Sequence, residues 1–130
     1  MTEEWKCYFE IINTFWNLLK PYVNSEDEKA YKRIMTDIFN MLVKDRGKKF
    51  TDEWYRSTTE VVIYPEKFKN TKYTEFAAEL AIAITDYWTF EHHKGRVSHY
   101  DFSTYISKAF LNEWERLRKN EEKDTKKTTR

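Results

Sequence analysis

Cysteine, glycine and proline are nearly absent from this chain: among 130 residues there are one Cys, two Gly and two Pro. Each scarcity excludes something. A lone Cys7 rules out an intramolecular disulfide and fits a reducing compartment, where it reads as a small buried hydrophobe beside an apolar stripe. Four breakers are too few for the many turns of an all-β fold. A disordered chain is excluded from the other direction, because such chains are poor in aromatics and this one is 18% Phe, Trp and Tyr. No apolar run approaches the roughly 18 residues of a membrane span. The amino terminus, MTEEWKCYFE, is acidic where a signal peptide would be basic. A net charge of +1 supplies no global field for nucleic acid or an acidic partner. These features together predict a cytoplasmic protein built from a few long helices.

What the chain does contain is helical period. The stretch from Tyr73 to His93 is apolar nearly all round, with Phe76, Ala77, Ala78, Leu80, Ala81, Ile82, Ala83, Ile84, Tyr87, Trp88 and Phe90. Such a helix belongs inside a bundle, and its alanines permit close neighbours. Before it, Trp5, Tyr8, Phe9, Ile12, Phe15, Trp16 and Leu19 recur at three- and four-residue steps, with Thr2 as N-cap and Pro21 as the stop. Ser25 and Glu28 have the spacing of a capping box ahead of Tyr31, Ile34, Met35, Ile38, Phe39 and Leu42, and Gly47 stands where a C-cap belongs. Residues 51–64 read as a third helix ending near Pro65. Ser57, Thr58, Thr59, Val61, Val62, Ile63 and Tyr64 would also suit a strand, but no partner strand is evident. Residues 65–72 read as a connector anchored by Phe68, with Asn70, Thr71 or Thr74 capping the central helix. Ser98 with Asp101 opens a last helix whose apolar face runs from Phe102 to Leu117. The expectation is an all-α, single-domain bundle of about five helices around the central helix at 73–93. It occupies residues 1–118, and a charged tail at 119–130 frays into disorder.

Four patterns carry chemistry worth weighing. Glu75, Glu79, Asp86 and His93 fall within about 40° on the central helix, a line of acids with a histidine that suggests a metal site in a bundle. Such sites use Glu-x-x-His pairs, and none occurs in the chain. The plainer account is a solvent-facing edge. His92, His93 and His99 with Glu91 gather at a helix end, yet adjacent helical residues diverge by about 100° and no third ligand of suitable spacing accompanies them. Neither pattern supplies a catalytic residue, a metal site or a cofactor site.

Basic residues form the third pattern. Lys44, Arg46, Lys48 and Lys49 surround one loop, and Arg116, Arg118 and Lys119 lie on the last helix. If these helix ends meet, they make a phosphate-binding patch, although interleaved acids and ordinary dipole pairing at helix C-termini make solvated faces the plainer account. The fourth pattern is the aromatic surplus. Tyr22, Tyr55, Tyr64, Tyr73 and Phe90 fit their helical faces least well and are the candidate exposed contacts of a protein interface. The usage of Lys, Glu, Asn, Tyr, Ile and Phe is that of an AT-rich bacterial, phage or plasmid genome. The leading expectation is a non-enzymatic module that binds another protein, such as a phage or mobile-element accessory protein inhibiting a host enzyme or defence complex, or a homodimer. The alternatives are a nucleic-acid-associated protein, contacting nucleic acid directly or through its partner, and a metal-dependent bundle enzyme.

Overall fold

A computed structural model of the chain describes residues 3–45, 59–94 and 99–128, with side chains described for residues 6–44, 59–90 and 101–119. Its elements are α1 (Glu3–Leu19), a 3₁₀ turn (Lys20–Tyr22), α2 (Ser25–Asp45), α3 (described over residues 59–63), a 3₁₀ helix (Tyr64–Phe68), α4 (Thr74–Lys94) and α5 (His99–Thr128). There is no strand among the described residues, and the five helices pack against one another as a small all-α bundle. The helical choice at 59–63 therefore holds over the strand alternative. Residues 51–58 and the expected caps Thr2, Gly47 and Ser98 lie outside the described residues.

Local chemistry sets the boundaries. Proline fixes φ and lacks an amide, so Pro21 stops α1 and turns the chain into a 3₁₀ turn. Pro65 stands just past the end of α3 at residue 63, where the third helix is expected to stop. It occupies the start of the 3₁₀ helix, where an amide would have no partner anyway. Asn24, one residue before the expected Ser25, holds the cap position of α2, its carbonyl accepting from the amides of Asp27 and Glu28 at 3.0 Å each. Ahead of α4, Asn70 turns the chain with φ of 64°, a value asparagine tolerates. Thr71 Oγ1 then donates to the Phe68 carbonyl at 2.6 Å and accepts from the Tyr73 amide at 3.2 Å, and the Thr74 hydroxyl also donates to Phe68 O.

Aromatic contacts give the directions of the helices. Phe9 meets Phe39 and Trp16 meets Tyr31, so α1 and α2 are antiparallel. Tyr31 meets Phe76 while Asp27 meets Tyr73, so α2 and α4 are parallel. Phe76 meets Phe110 and Tyr87 meets Phe102, so α4 and α5 are antiparallel. Tyr8 meets Phe102 and Phe15 meets Phe110, so α5 runs parallel to α1. The order is up, down, down, up, and residues 59–73 lead back along α2, Glu60 beside Lys44 and Tyr64 beside Asp37, to the start of its parallel neighbour α4. Bundles commonly accommodate one such crossover, while the helices joined by short connections, α1 with α2 and α4 with α5, are antiparallel.

α4 is the hub, packing on α5, on the 3₁₀ helix and on α2. Its buried Ala77 and Ala81 allow close approach, and Phe76, Leu80, Ile84, Tyr87 and Trp88 fill the core. It is not enclosed on every side: Ile82 is 58% exposed, and Glu75 and Asp86 share that open edge. α5 continues as helix to Thr128, well past the expected boundary at 118, although Leu117 is the last apolar residue packed on the core. The Lys- and Glu-rich sequence beyond it has good helix propensity, which a reading based on apolar period does not register.

Candidate functional site

α1 packs chiefly on α5, and α2 turns toward α4, so the two helices have little contact with each other. The space between them is a groove of about 390 Å³. Ile12 and Trp16 from α1 and Met35 and Phe39 from α2 form its floor, and the first three are buried. Phe9 closes one end, edge-on to Phe39 at 5.7 Å, yet remains 49% exposed. One bank carries Asn13 and Asn17 on α1 with Lys20 in the 3₁₀ turn that follows, spaced i, i+4, i+7, and the other carries Lys32 and Thr36 on α2. The charged groups lining the groove are thus both cations, and both stand at the end away from Phe9. Glu28 lies behind them. Its carboxyl is held below the usual range by the hydrogen bond and charge of Lys32, whose Nζ is 2.9 Å away, with a smaller contribution from Lys20.

The aromatic residues selected as contacts do not form one surface. Tyr64 is buried at 2% exposure and donates to Asp37 Oδ2 at 2.6 Å. Tyr73 is half-buried and donates to Asp27 Oδ1 at 2.5 Å. Phe90 is half-buried against Tyr105, with ring centroids 5.6 Å apart. Tyr22 is 36% exposed and meets Trp114 edge-on at 6.2 Å. Tyr55 lies outside the described residues. The misfit of Tyr64 and Tyr73 to a simple apolar face has a polar cause, since each hydroxyl reaches a carboxylate on α2.

The basic residues are not brought together either. Arg116 lies beside Glu113, which bonds Tyr31 near the start of α2, whereas Lys44 is in the last turn of α2. Thirteen residues of helix separate Tyr31 from Lys44, about 20 Å. Arg116 is also fully engaged. Its Nη1 and Nη2 donate to the two Glu79 oxygens at 3.0 and 3.1 Å, its Nε donates to Glu113 Oε1 at 2.6 Å, and Glu75 Oε2 is 3.2 Å from Nη1. Burial works against the guanidinium charge, but the hydrogen bonds and charges of Glu79 and Glu113 outweigh it and drive the pKa above its ordinary value. Lys44 pairs with Glu60 at 3.5 Å, and Arg118 stacks over Trp114 at 4.6 Å. Lys119 is exposed. Arg46, Lys48 and Lys49 lie outside the described residues.

Two members of the acidic line on α4, Glu75 and Glu79, therefore serve as anchors for Arg116, and Asp86 is exposed. The side chains of His92, His93 and His99 lie outside the described residues. No cluster of His, Cys, Asp or Glu capable of holding a metal ion occurs among the described residues. No helix among them is long and apolar enough to cross a membrane. No family model, curated protein or solved structure matches the chain.

Sequence reasoning assigned Phe9, Trp16 and Phe39 to the core and did not separate the groove from it. A signal was present. The apolar residues of α1 extend over about 120° of the helix, more than one neighbour covers, and Asn13, Asn17 and Lys20 flank that excess.

Proposed function

We propose that this protein acts by binding another protein through the α1–α2 groove, in a reducing cytosolic compartment and without catalysis of its own. The observation that carries the proposal is Phe9, a large aromatic left half exposed at the end of a groove whose floor is already apolar. Folding alone gives no reason to leave that surface wet, because apolar area gains about 25 cal/mol per Å² on leaving water. Large apolar residues in a concavity rimmed by polar groups are the anatomy of a protein contact site. Exposed Leu18, Val62, Ile63, Ile82 and Leu111 are distributed over four helices, and scattered exposure of this kind is ordinary.

The nucleic-acid alternative has less behind it. Arg116 is committed to three carboxylates, and Lys44 stands at the other end of α2 from it, which speaks against one phosphate-binding face formed by these two.

The test is affinity capture from the source cell's lysate with wild-type protein and with Phe9→Glu, each with and without nuclease. Phe9 is at the surface, so the variant keeps its fold. Capture of a protein by the wild type that survives nuclease and disappears with Phe9→Glu is the expected result. Identical capture by both proteins, or recovery that collapses with nuclease, overturns the proposal.

A further inference from the structure

The lining of the groove specifies its occupant. Resting on the reading that it is a protein-binding site, we infer that the occupant is an amphipathic helix carrying acidic residues at one end of its apolar stripe, the end that seats between Lys20 and Lys32.

Three features favour a helix. There is no strand edge among the described residues to which an extended peptide could add. A helix satisfies its own backbone groups, so it can lie on the apolar floor of Ile12, Trp16 and Met35 without leaving amides unpaired. The length also fits. Phe9 on α1 and Lys20 in the 3₁₀ turn that follows are eleven residues apart, about 16 Å, whereas anchor residues at i and i+7 of a docked helix span about 10 Å. Two to three turns therefore lie between the Phe9 end and the lysine end, and a third helix seated there covers the faces that α1 and α2 leave open to each other.

Charge sets the direction of preference. The groove contributes two cations and no anion to its occupant, both at the same end. Neither lysine is locked in place. Lys32 is 57% exposed in its pair with Glu28, one turn away on the same helix, and exposed pairs of this kind are weak enough to exchange partners. Glu28 offsets one of the two positive charges and leaves a net cation at the groove mouth. An incoming Asp or Glu gains from that field, and an incoming Lys or Arg is opposed by it. At the Phe9 end the lining is aromatic and uncharged, so apolar anchors belong there.

The experiment is selection of a displayed library of helices, with apolar residues fixed at i, i+4 and i+7 and the remaining positions randomised, on the full chain with counter-selection on Phe9→Glu. Enriched helices should carry Asp or Glu at one end of the stripe and bind about tenfold tighter than their Lys-substituted counterparts. The double variant Lys20→Glu with Lys32→Glu, both at exposed positions, should keep its melting temperature and shift enrichment to Lys and Arg. Helices that depend on Phe9 but show no acidic bias, or a bias unmoved by the double variant, would overturn the inference and leave the groove as a binding site. Absence of any Phe9-dependent helix would overturn both readings. A wild-type dimer that Phe9→Glu dissociates assigns the groove to a second copy of the chain and overturns the inference as well.

Discussion

The hydroxyl of Tyr31 on α2 donates to Oε2 of Glu113 on α5, joining two helices that reach each other across the end of α4. Tyr31 is packed among Trp16, Tyr73 and Phe76, and Glu113 is 2% exposed with its other oxygen held by Arg116. Removing either side leaves a buried group without its partner. Glu113→Ala should destabilise the fold by about 3–5 kcal/mol, because it orphans Tyr31 and unbalances Arg116. Tyr31→Phe should lose about 1–2 kcal/mol. The combined variant should be less destabilised than the sum, as expected for residues sharing one bond. Denaturant melts of the four proteins measure the coupling, and strict additivity would show that the bond contributes nothing.

Alkali should unfold the protein through Tyr31 and Tyr64. Burial raises both hydroxyl pKa values well above the ordinary tyrosine value of 10.0, and the neighbouring carboxylates Glu113 and Asp37 raise them further. Tyr73 is pushed up to about 12 by burial and then by its hydrogen bond to Asp27. With the folded pKa above the unfolded one, the native state retains protons that the unfolded chain has released. The tyrosine contribution to stability is therefore intact below pH 10 and falls above it, by about 1.4 kcal/mol per pH unit for each of the two buried tyrosines. Tyrosinate absorbance followed beside circular dichroism tests this. These two groups should ionise together with the loss of helix, whereas early ionisation of all nine tyrosines in an intact helical protein would contradict the assignment.

Asp27 controls the acid limb. Burial raises its pKa, but hydrogen bonds from Lys72 at 2.6 Å and from Tyr73, with the charge of Lys72, outweigh that and leave it below the ordinary 3.8. A depressed folded pKa gives stability that is present above the unfolded pKa and lost as pH falls through the folded one. Asp27→Asn should thus cost about 1.5–3 kcal/mol at neutral pH, and the gap to wild type should close below about pH 4. A difference independent of pH would place the effect in packing.

Much of this architecture is legible in the sequence, because it depends on period and punctuation. The apolar stripes of α1, α2, α4 and α5 appear where three- and four-residue spacing places them, and Pro21 marks the end of α1. The polar wiring is not legible, for a physical reason. Tyr64–Asp37, Tyr73–Asp27 and Arg116–Glu79 join residues 27 to 46 positions apart in the chain. Local spacing carries no record of which carboxylate a long side chain will reach once helices are side by side. The parallel pairing of α2 with α4 is hidden likewise, since it depends on how the connection between them, described over residues 59–73, leads back along α2. The groove falls between these cases: its apolar floor is visible in the period, and its openness follows from α1 and α2 choosing different partners.

The central position of α4 makes Ala81 the sharpest single test of the core. It is 2% exposed on the hub helix. Ala81→Asp places an unpaired carboxyl there and should abolish cooperative unfolding, with loss of helical circular dichroism at 25 °C, because burying it, whether as a charge or protonated, and crowding the close helix contact together consume much of the roughly 5–15 kcal/mol that holds a domain together. A native-like melt for this variant would mean that the core lies elsewhere.

Arg116 and Arg118 are two residues apart and should behave in opposite ways. Arg116 stands between Glu75, Glu79 and Glu113, so Arg116→Ala leaves three carboxylates facing one another without a cation. The loss should be about 3 kcal/mol or more at neutral pH. Arg118 lies over the Trp114 ring at the surface, where a cation–π contact contributes about 0.5–1 kcal/mol, so Arg118→Ala should barely move the melt. Nucleic acid offers the discriminating control. If Arg116 were a phosphate ligand instead of a clamp between α4 and α5, its removal would weaken binding to DNA or RNA while leaving the melting curve in place, the reverse of the outcome its three carboxylate partners predict.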